Sequence, residues 1–420
     1  MSNYDEIDVF TDAELSQAPH GYFEHLRAKG PAARLPRHGV VAVTSYDAGL
    51  AIFRDDERFS AINTATGPFL PLPFTPEGDD ITVQLEQCRS ELPYAGQIVA
   101  LDPPAHTKQK SLLMGMITPK RLKENETFMA KLSDRIIGEF IERGSVEVIS
   151  EYAQPFATLV IADLLGVPEE DHQGFRKLIG ALPGQIGVEM NMANNPLVQI
   201  GMNFYGYIED RRREPRQDVL TELAQQRYAD GSLPELLDVV SVATFLFGAG
   251  QDTTVRLFAA MLRFLAEEPE LQRKLRSERH LIPEFVEEVL RLEGTVKSTF
   301  RMAKVPVKVG DIEVSPGTCV MLLISAMNRD PMRFENPAEL RLDRKNVREH
   351  LAFGRGIHSC AGAPLARAEA KVTLERLFDR TSDIRIDETE HGPAGVRRFE
   401  YEPNYLIRAM KALHLEFDKA

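Results

Sequence analysis

The sequence predicts a mainly α-helical protein with smaller β-sheets, an α+β fold class, and three observations carry that prediction. Apolar residues recur at helical spacing through long stretches, the longest running from Ser232 to Glu267. Strand-like alternation is confined to two regions, near residues 30–60 and 300–330. At 420 residues, with 43% hydrophobic and 27% charged residues, the chain has an ordinary globular composition and the length for a large core. No internal repeat or second domain is visible, so residues 1–420 read as one domain.

Each element follows from local chemistry. Pro19 to Lys29 predicts a short helix, Ala33–Leu35 and Val40–Thr44 predict strands about a turn at Arg37–Gly39, and Tyr46–Arg54 predicts a second helix. Phe59 to Leu101 holds Pro68, Pro71, Pro73, Pro76 and Pro93 with Gly67, Gly78 and Gly96. That predicts a loop with one short helix at Ile81–Arg89, and loops this long are uncommon unless they carry function. At Asp102–Lys110 two prolines open a helical run to Ile117, which Thr118-Pro119 ends. Leu122–Arg143 predicts an amphipathic helix, and Tyr152–Leu165 a buried one stopped by Gly166 and Pro168. Asp171–Gly180 and Val198–Arg213 predict two helices about a link rich in Met, Gly and Asn.

In the longest helix, Ser232 is placed to cap and Glu235 to complete a capping box, with Pro269 closing the far end. Val239–Phe247 is apolar nearly all round and should be buried. Gly248, Ala249, Gly250, Gln251, Asp252, Thr253 and Thr254 interrupt that apolar helix. Glycine and threonine are locally costly there, and threonine hydroxyls can bond back to the preceding turn, so a kink is expected. Val305–Met327 alternates like paired strands, with turns at Gly310-Asp311 and Pro316-Gly317. Ala363–Arg380 reads as a closing helix.

Charge and cysteine content exclude several functions. A formal net charge of −13 argues against nucleic acid or an anionic membrane as the main partner. The start is acidic and polar, and no run of about 18 apolar residues occurs, so no membrane span is expected and a cytoplasmic location is. Cys88, Cys319 and Cys360 are too few and too far apart for a disulfide framework or a zinc site.

Cys360 has distinctive neighbours. Phe353–Gly362 reads FGRGIHSCAG, a glycine-rich loop just ahead of the Ala363–Arg380 helix. A helix N-terminus stabilises a thiolate, and glycines let backbone pass close to a flat group. A thiolate against a flat ring is what a haem iron needs from a cysteine. Phe353, Gly354, Gly356, His358, Cys360 and Gly362 match the pattern F-G-x-G-x-H-x-C-x-G, which resembles the haem-binding loop of the cytochrome P-450 family, the haem-thiolate monooxygenases.

The resemblance covers essentially the whole chain. It implies the cytochrome P-450 fold, a triangular helix-rich lobe and a small β-rich lobe with haem b between them. Ala249, Gly250, Asp252 and Thr253 match the family's oxygen-activation motif A-G-x-D-T. Thr253 would orient a proton-carrying water and Asp252 would connect it to solvent. His106, Lys110, Arg301 and His358 match haem-propionate donors, with lysine at 110 where arginine is commoner. Glu288, Arg291 and Arg344 match a buried structural network that steadies the cysteine loop.

Substrate-pocket candidates by the same resemblance are Phe69, Leu70, Phe74, Ile98, Ile179, Leu182, Phe245, Val296, Ser298, Thr299 and Tyr405. Further apolar candidates are Leu72, Tyr94 and Val99 in the long loop, and Ile186, Met190, Met192 and Met202 in the mobile lid of the family.

The implied activity is insertion of one atom of O2 into a hydrophobic small molecule: a terpenoid, fatty acid, steroid or aromatic. Electrons would come from a separate ferredoxin or flavodoxin, docking on a basic patch of Arg355, Arg367, Lys371, Lys108, Lys120 and Arg121. The alternatives are a haem protein that binds or senses a ligand without turnover, and a peroxide-driven enzyme. Neither gives Asp252-Thr253 a use. A non-haem cysteine enzyme would need a positioned histidine base, which the spacing of His358 does not predict.

Overall fold

The computed structural model describes residues 4–180 and 196–420. The chain folds into two compact units. The first comprises the chain to Thr107, Leu290–Cys360 and Tyr401–Ala409; the second comprises Lys108–Val289, Ala361–Glu400 and Met410–Ala420.

The first unit is built on strands β1 (Ala32–Arg34), β2 (Val41–Val43) and β3 (Phe59–Ser60). The second unit interposes β4 (Ser145–Glu147). The chain then returns with β5 (Thr299–Ala303), β6 (Val307–Val309), β7 (Ile312–Val314) and β8 (Cys319–Leu322). One five-stranded sheet has the order β1-β2-β8-β5-β3, with β2 and β8 parallel and the other pairs antiparallel. Alternation sorts its side chains onto two faces. Val41, Val43, Val320 and Leu322 pack with Tyr46, Phe53, Phe334 and Leu351. Val40, Ala42, Phe300 and Met321 pack with Tyr22, Phe23 and Leu26. The β1–β2 turn places Gly39 at φ 64°, and the β6–β7 hairpin places Gly310 at φ 59°, both at turns read from the sequence. Within the long loop, Leu70, Leu72 and Phe74 pack against Ile81, Leu85 and Leu92, so the segment carries a small core of its own.

The second unit is helical. Its principal helices are α1 (Ala105–Met116, which starts just before the unit), α2 (Pro119–Phe140), α3 (Gln154–Leu164) and α4 (Leu236–Glu267). They are followed by α5 (Ile282–Glu293), which ends in the first unit, and α6 (Ala363–Arg380). Thr118 does more than end α1: its hydroxyl accepts from Arg121 N at 3.3 Å and caps α2, with Pro119 at the first helical position. A π-turn at Val148–Ala153 leads into α3.

α4 spans 32 residues, about 48 Å at 1.5 Å each. Phe247 packs on Phe175 and Phe204, and Phe258 on Tyr152 and Phe156. A Cβ at Gly250 would stand 2.8 Å from Ile161 Cδ1, so glycine there lets α3 and α4 approach.

Two expectations need correction. The capping box at Ser232–Glu235 does not form. Ser232 Oγ bonds Asp230 Oδ1 at 2.6 Å, and α4 begins at Leu236, after Glu235. Pro234 is the reason, because it disfavours helical backbone at Leu233. Strand structure also extends beyond the two regions read from the sequence. β4, β9 (Thr381–Ile386) and β10 (His414–Lys419) form a separate antiparallel sheet in the order β4-β10-β9.

Candidate functional site

In the first unit the cysteine loop is shaped by its backbone. Gly354 and Gly356 have φ of 63° and 72°, and a Cβ at Gly356 would stand 2.0 Å from Phe53 O. Only glycine fits that contact. Cys360 N donates to Phe353 O at 2.8 Å, closing the loop, and Gly354 N donates to Leu351 O at 2.9 Å. Cys360 is exposed and lies three residues ahead of α6. Gly362 is the N-cap residue of α6 in the second unit.

The same unit holds three of the four predicted propionate donors. His106, buried at the start of α1, and His358 of the loop bring their rings to 4.1 Å between centroids. Arg301 on β5 is 5% exposed, with Nη1 donating to Thr64 Oγ1 at 3.0 Å and to Phe300 O at 2.7 Å. Burial pushes its guanidinium down to about 10, so it stays charged at neutral pH. Among the described residues no carboxylate lies within ion-pair distance of Arg301; Asp102 is taken by Ser60, Ala61 and Arg89. A buried cation with no carboxylate of the described residues at ion-pair distance fits a group carrying carboxylates of its own, which haem does through its propionates. Lys110 lies one turn beyond His106 on α1, on the same helix face.

In the second unit the predicted motif sits in mid-α4. Phe245 and Thr253 are partly exposed and Ala249 is exposed, at i, i+4 and i+8, while most of the helix is buried. That open strip of small and apolar residues suits one face of a flat ring. Thr253 Oγ1 donates to Ala249 O at 2.9 Å, the back-bonding expected from the sequence. Asp252 Oδ1 accepts from Arg256 Nε at 3.1 Å and pairs with Nη2 at 3.0 Å.

The structural trio is fully or nearly buried: Glu288 and Arg291 at 0% exposure and Arg344 at 8%. Arg291 donates to the carbonyls of Asn328 (3.0 Å), Pro337 (2.6 Å) and Glu339 (2.9 Å). Arg344 shares the Glu339 carbonyl at 3.2 Å and binds that of Glu335 at 2.6 Å. The two arginines thus gather the backbone of residues 328–339 in the unit that holds the cysteine loop.

The substrate candidates are dispersed. Val296 and Thr299 are partly exposed, whereas Ser298 is buried with its hydroxyl on Tyr405 O at 2.7 Å. Phe69 and Tyr405 join Phe10 and His38 in one aromatic cluster. Leu70 and Phe74 belong to the loop's own core, and Ile98 is buried. Met202 is exposed. Leu182, Ile186, Met190 and Met192 lie outside the described residues, as does the side chain of Ile179.

The six cations read as a docking patch are largely compensated. Arg367 is bidentate on Glu287, at 2.5 and 3.0 Å. Arg121 pairs with Glu222, Lys120 with Glu124 and Lys371 with Glu375. Arg355 is bonded to the carbonyls of Gly354 and Arg348, and Lys108 lies over the Tyr228 ring.

Three buried polar residues escaped the sequence reading. Glu369 on α6 is 1% exposed, and desolvation pushes its carboxyl up to about 8; it accepts from Thr254 Oγ1 at 3.0 Å. Its spacing from Leu365 and Val372 puts it on the apolar stripe of α6, which was a readable signal. Arg256, 8% exposed, lies one turn after Asp252 on α4.

Lys297, 5% exposed, donates to Asn404 O, and burial together with the charge of Arg408 pushes its amine down to about 7. The unfolded chain therefore binds more protons than the folded one between that value and the ordinary lysine range, and stability rises with pH across the window. Lys297→Met is expected to stabilise the protein by up to about 4 kcal/mol below neutral pH, less about 1 kcal/mol for the lost hydrogen bond. Urea unfolding at pH 6.5 and 10 checks this: the gain shrinks at the higher pH, and an equal gain at both would refute it.

The family model described as Cytochrome P-450 matches residues 203–382. The chain is 31% identical over 420 residues to cytochrome P-450 144 of Mycobacterium tuberculosis, covering 98% of this chain and 91% of that one. It is 29% identical to cytochrome P-450 monooxygenase PikC of Streptomyces venezuelae, over 96% of this chain and 92% of that one. The solved structure of substrate-free cytochrome P-450 CYP150A6 of Mycobacterium marinum matches with a TM-score of 0.95 and 51% identity over the full length of both chains. Likeness of this extent makes the chain a member of the cytochrome P-450 family, oxygen-incorporating oxidoreductases that hold haem b through a cysteine thiolate.

Proposed function

We propose that this protein hydroxylates an apolar small molecule, with Cys360 as the iron ligand, Thr253 and Asp252 handling protons, and a separate ferredoxin or flavodoxin as electron donor. The observation that carries the reading is Arg301, a buried guanidinium with no carboxylate of the described residues within ion-pair distance, in the unit that holds His106, His358 and Cys360. Haem, when bound, supplies the iron at which O2 is activated.

The chain's own residues do the rest. Arg301, His106 and Lys110 hold the propionates, with His358 from the cysteine loop. Ala249 leaves room for the ring on the exposed strip of α4, and Gly250 beside it lets α3 pack close behind. Thr253 directs its proton to Ala249 O, so its oxygen is oriented to accept a bond from water. Asp252 carries a proton from solvent to that water and is regenerated as carboxylate. The substrate is a terpenoid, steroid, fatty acid or aromatic, and Phe245 in the second unit and, separately, Val296 and Thr299 in the first are partly exposed candidates to touch it. Three widely spaced cysteines offer no iron–sulfur cluster within the 420 residues, which supports a separate donor. Among the described residues no helix is long and apolar enough to cross a membrane.

The test is Thr253→Ala in the holoenzyme, with the compound that gives the largest low-to-high spin shift as substrate. Electron consumption is expected to continue while most of the electrons appear as hydrogen peroxide instead of product. Unchanged product per electron would refute the role of Thr253.

A further inference from the structure

We infer that Arg256 is the positioning residue of the proton-carrying pair: it clamps one oxygen of Asp252 and leaves the other to exchange protons with solvent.

Asp252 and Arg256 are one helical turn apart on α4, acid before base, the favourable order for an i, i+4 pair. Both Arg256 contacts fall on the same oxygen: Nε and Nη2 reach Asp252 Oδ1 at 3.1 and 3.0 Å. The described residues offer no hydrogen-bond donor to Oδ2, and the Asp252 side chain is 30% exposed. The carboxylate is therefore two-sided, with one oxygen held and one open to water. The Arg256 side chain is only 7% exposed, and its remaining arm donates to Met410 O at 2.5 Å. That carbonyl, on the C-terminal segment of the same unit, anchors the guanidinium. A planar fork held at one end by a backbone carbonyl fixes the other end in direction as well as in charge.

The neighbouring residues on α4 make the arrangement purposeful. Gln251 is buried and bonds Thr158 Oγ1, and Thr254 is buried and bonds Glu369. Asp252 and Thr253 are the two polar groups of the motif that retain exposure. With Oδ1 clamped, a proton arriving from solvent binds Oδ2 and leaves from Oδ2 to a water at Thr253. Without Arg256 the carboxyl rotates, and both oxygens exchange without direction.

This inference rests on the proton role proposed for Asp252 and Thr253, and the experiment separates the two. In ferric holoenzyme labelled with 13C-aspartate, the Asp252 carboxylate stretch is assigned by subtracting the Asp252→Asn spectrum. Arg256→Met is expected to shift that band to the position of a hydrated carboxylate, and Arg256→Lys to an intermediate position. With a surrogate ferredoxin and dioxygen as the only acceptor, Arg256→Met is expected to raise the peroxide share of electrons severalfold at unchanged haem content. Arg256→Lys is expected to recover part of the loss, and Arg256→Met added to Asp252→Asn to raise peroxide no further. An unmoved band, or an unchanged peroxide share in Arg256→Met while Asp252→Asn raises it, overturns the inference alone. An unchanged share in Asp252→Asn overturns the proton reading itself. If Arg256→Met binds no haem, Arg256→Lys decides: a wild-type band and share refute the positioning role.

Discussion

Cys360→Ala is expected to abolish product formation and to remove the red-shifted Soret band of the reduced, carbon monoxide-bound protein. The expectation follows from the loop. Cys360 is exposed at the end of a turn closed by its own N–H on Phe353 O and shaped by two glycines of positive φ. Alanine keeps that backbone and that hydrogen bond, so the substitution removes the sulfur and little else. Cys88 and Cys319 cannot substitute, since both are buried, and burial pushes the Cys319 thiol up to about 12. Haem held only by its propionate contacts and the surrounding apolar surface would then take a weaker axial ligand. The measurement is the carbon monoxide difference spectrum of the variant beside its haem content. A retained red-shifted band in Cys360→Ala would mean that a different residue ligates the iron.

Arg291→Leu is expected to have the second largest effect, and on folding instead of chemistry. Its guanidinium is wholly buried and satisfies three backbone carbonyls. Leucine fills part of the volume but leaves those carbonyls without their donor and removes a positive charge from a buried network. Breaking such a network costs about 3–5 kcal/mol, against a total stability of about 5–15 kcal/mol. The variant should therefore accumulate as insoluble or haem-free protein. Arg291→Lys should sit between the two, because an ammonium keeps the charge but cannot span three carbonyls in one plane. Urea unfolding and soluble holoprotein yield check both. A soluble Arg291→Leu protein of wild-type stability would contradict the network.

The parts of the fold that were legible are those where rare residue types stand at fixed spacing. FGRGIHSCAG and GAGQDTT mark the cysteine loop and the middle of the longest helix because glycine, cysteine and threonine there are costly unless the site needs them. Short strands were legible where a glycine of positive φ bounds them, as at Gly39 and Gly310. β4, β9 and β10 were not, since three segments of 3–6 residues from distant parts of the chain define one another only after folding. The capping box does not form because Pro234 stands between its two residues. Lys297 and Glu369 were read past because a charged letter looks solvated in sequence, and only burial reveals the cost. The sequence marks Arg256 only by the acid one turn before it; its anchor on Met410 O is a long-range contact that spacing does not contain. Among the pocket candidates, Leu70 and Phe74 show that an apolar residue in a long loop can serve the loop's own packing first.

The most direct test is X-ray absorption at the iron edge of the purified, substrate-free holoprotein. The account predicts a sulfur scatterer in the first shell of the iron, lost in Cys360→Ala. A first shell of nitrogen and oxygen alone in the wild-type protein would contradict it.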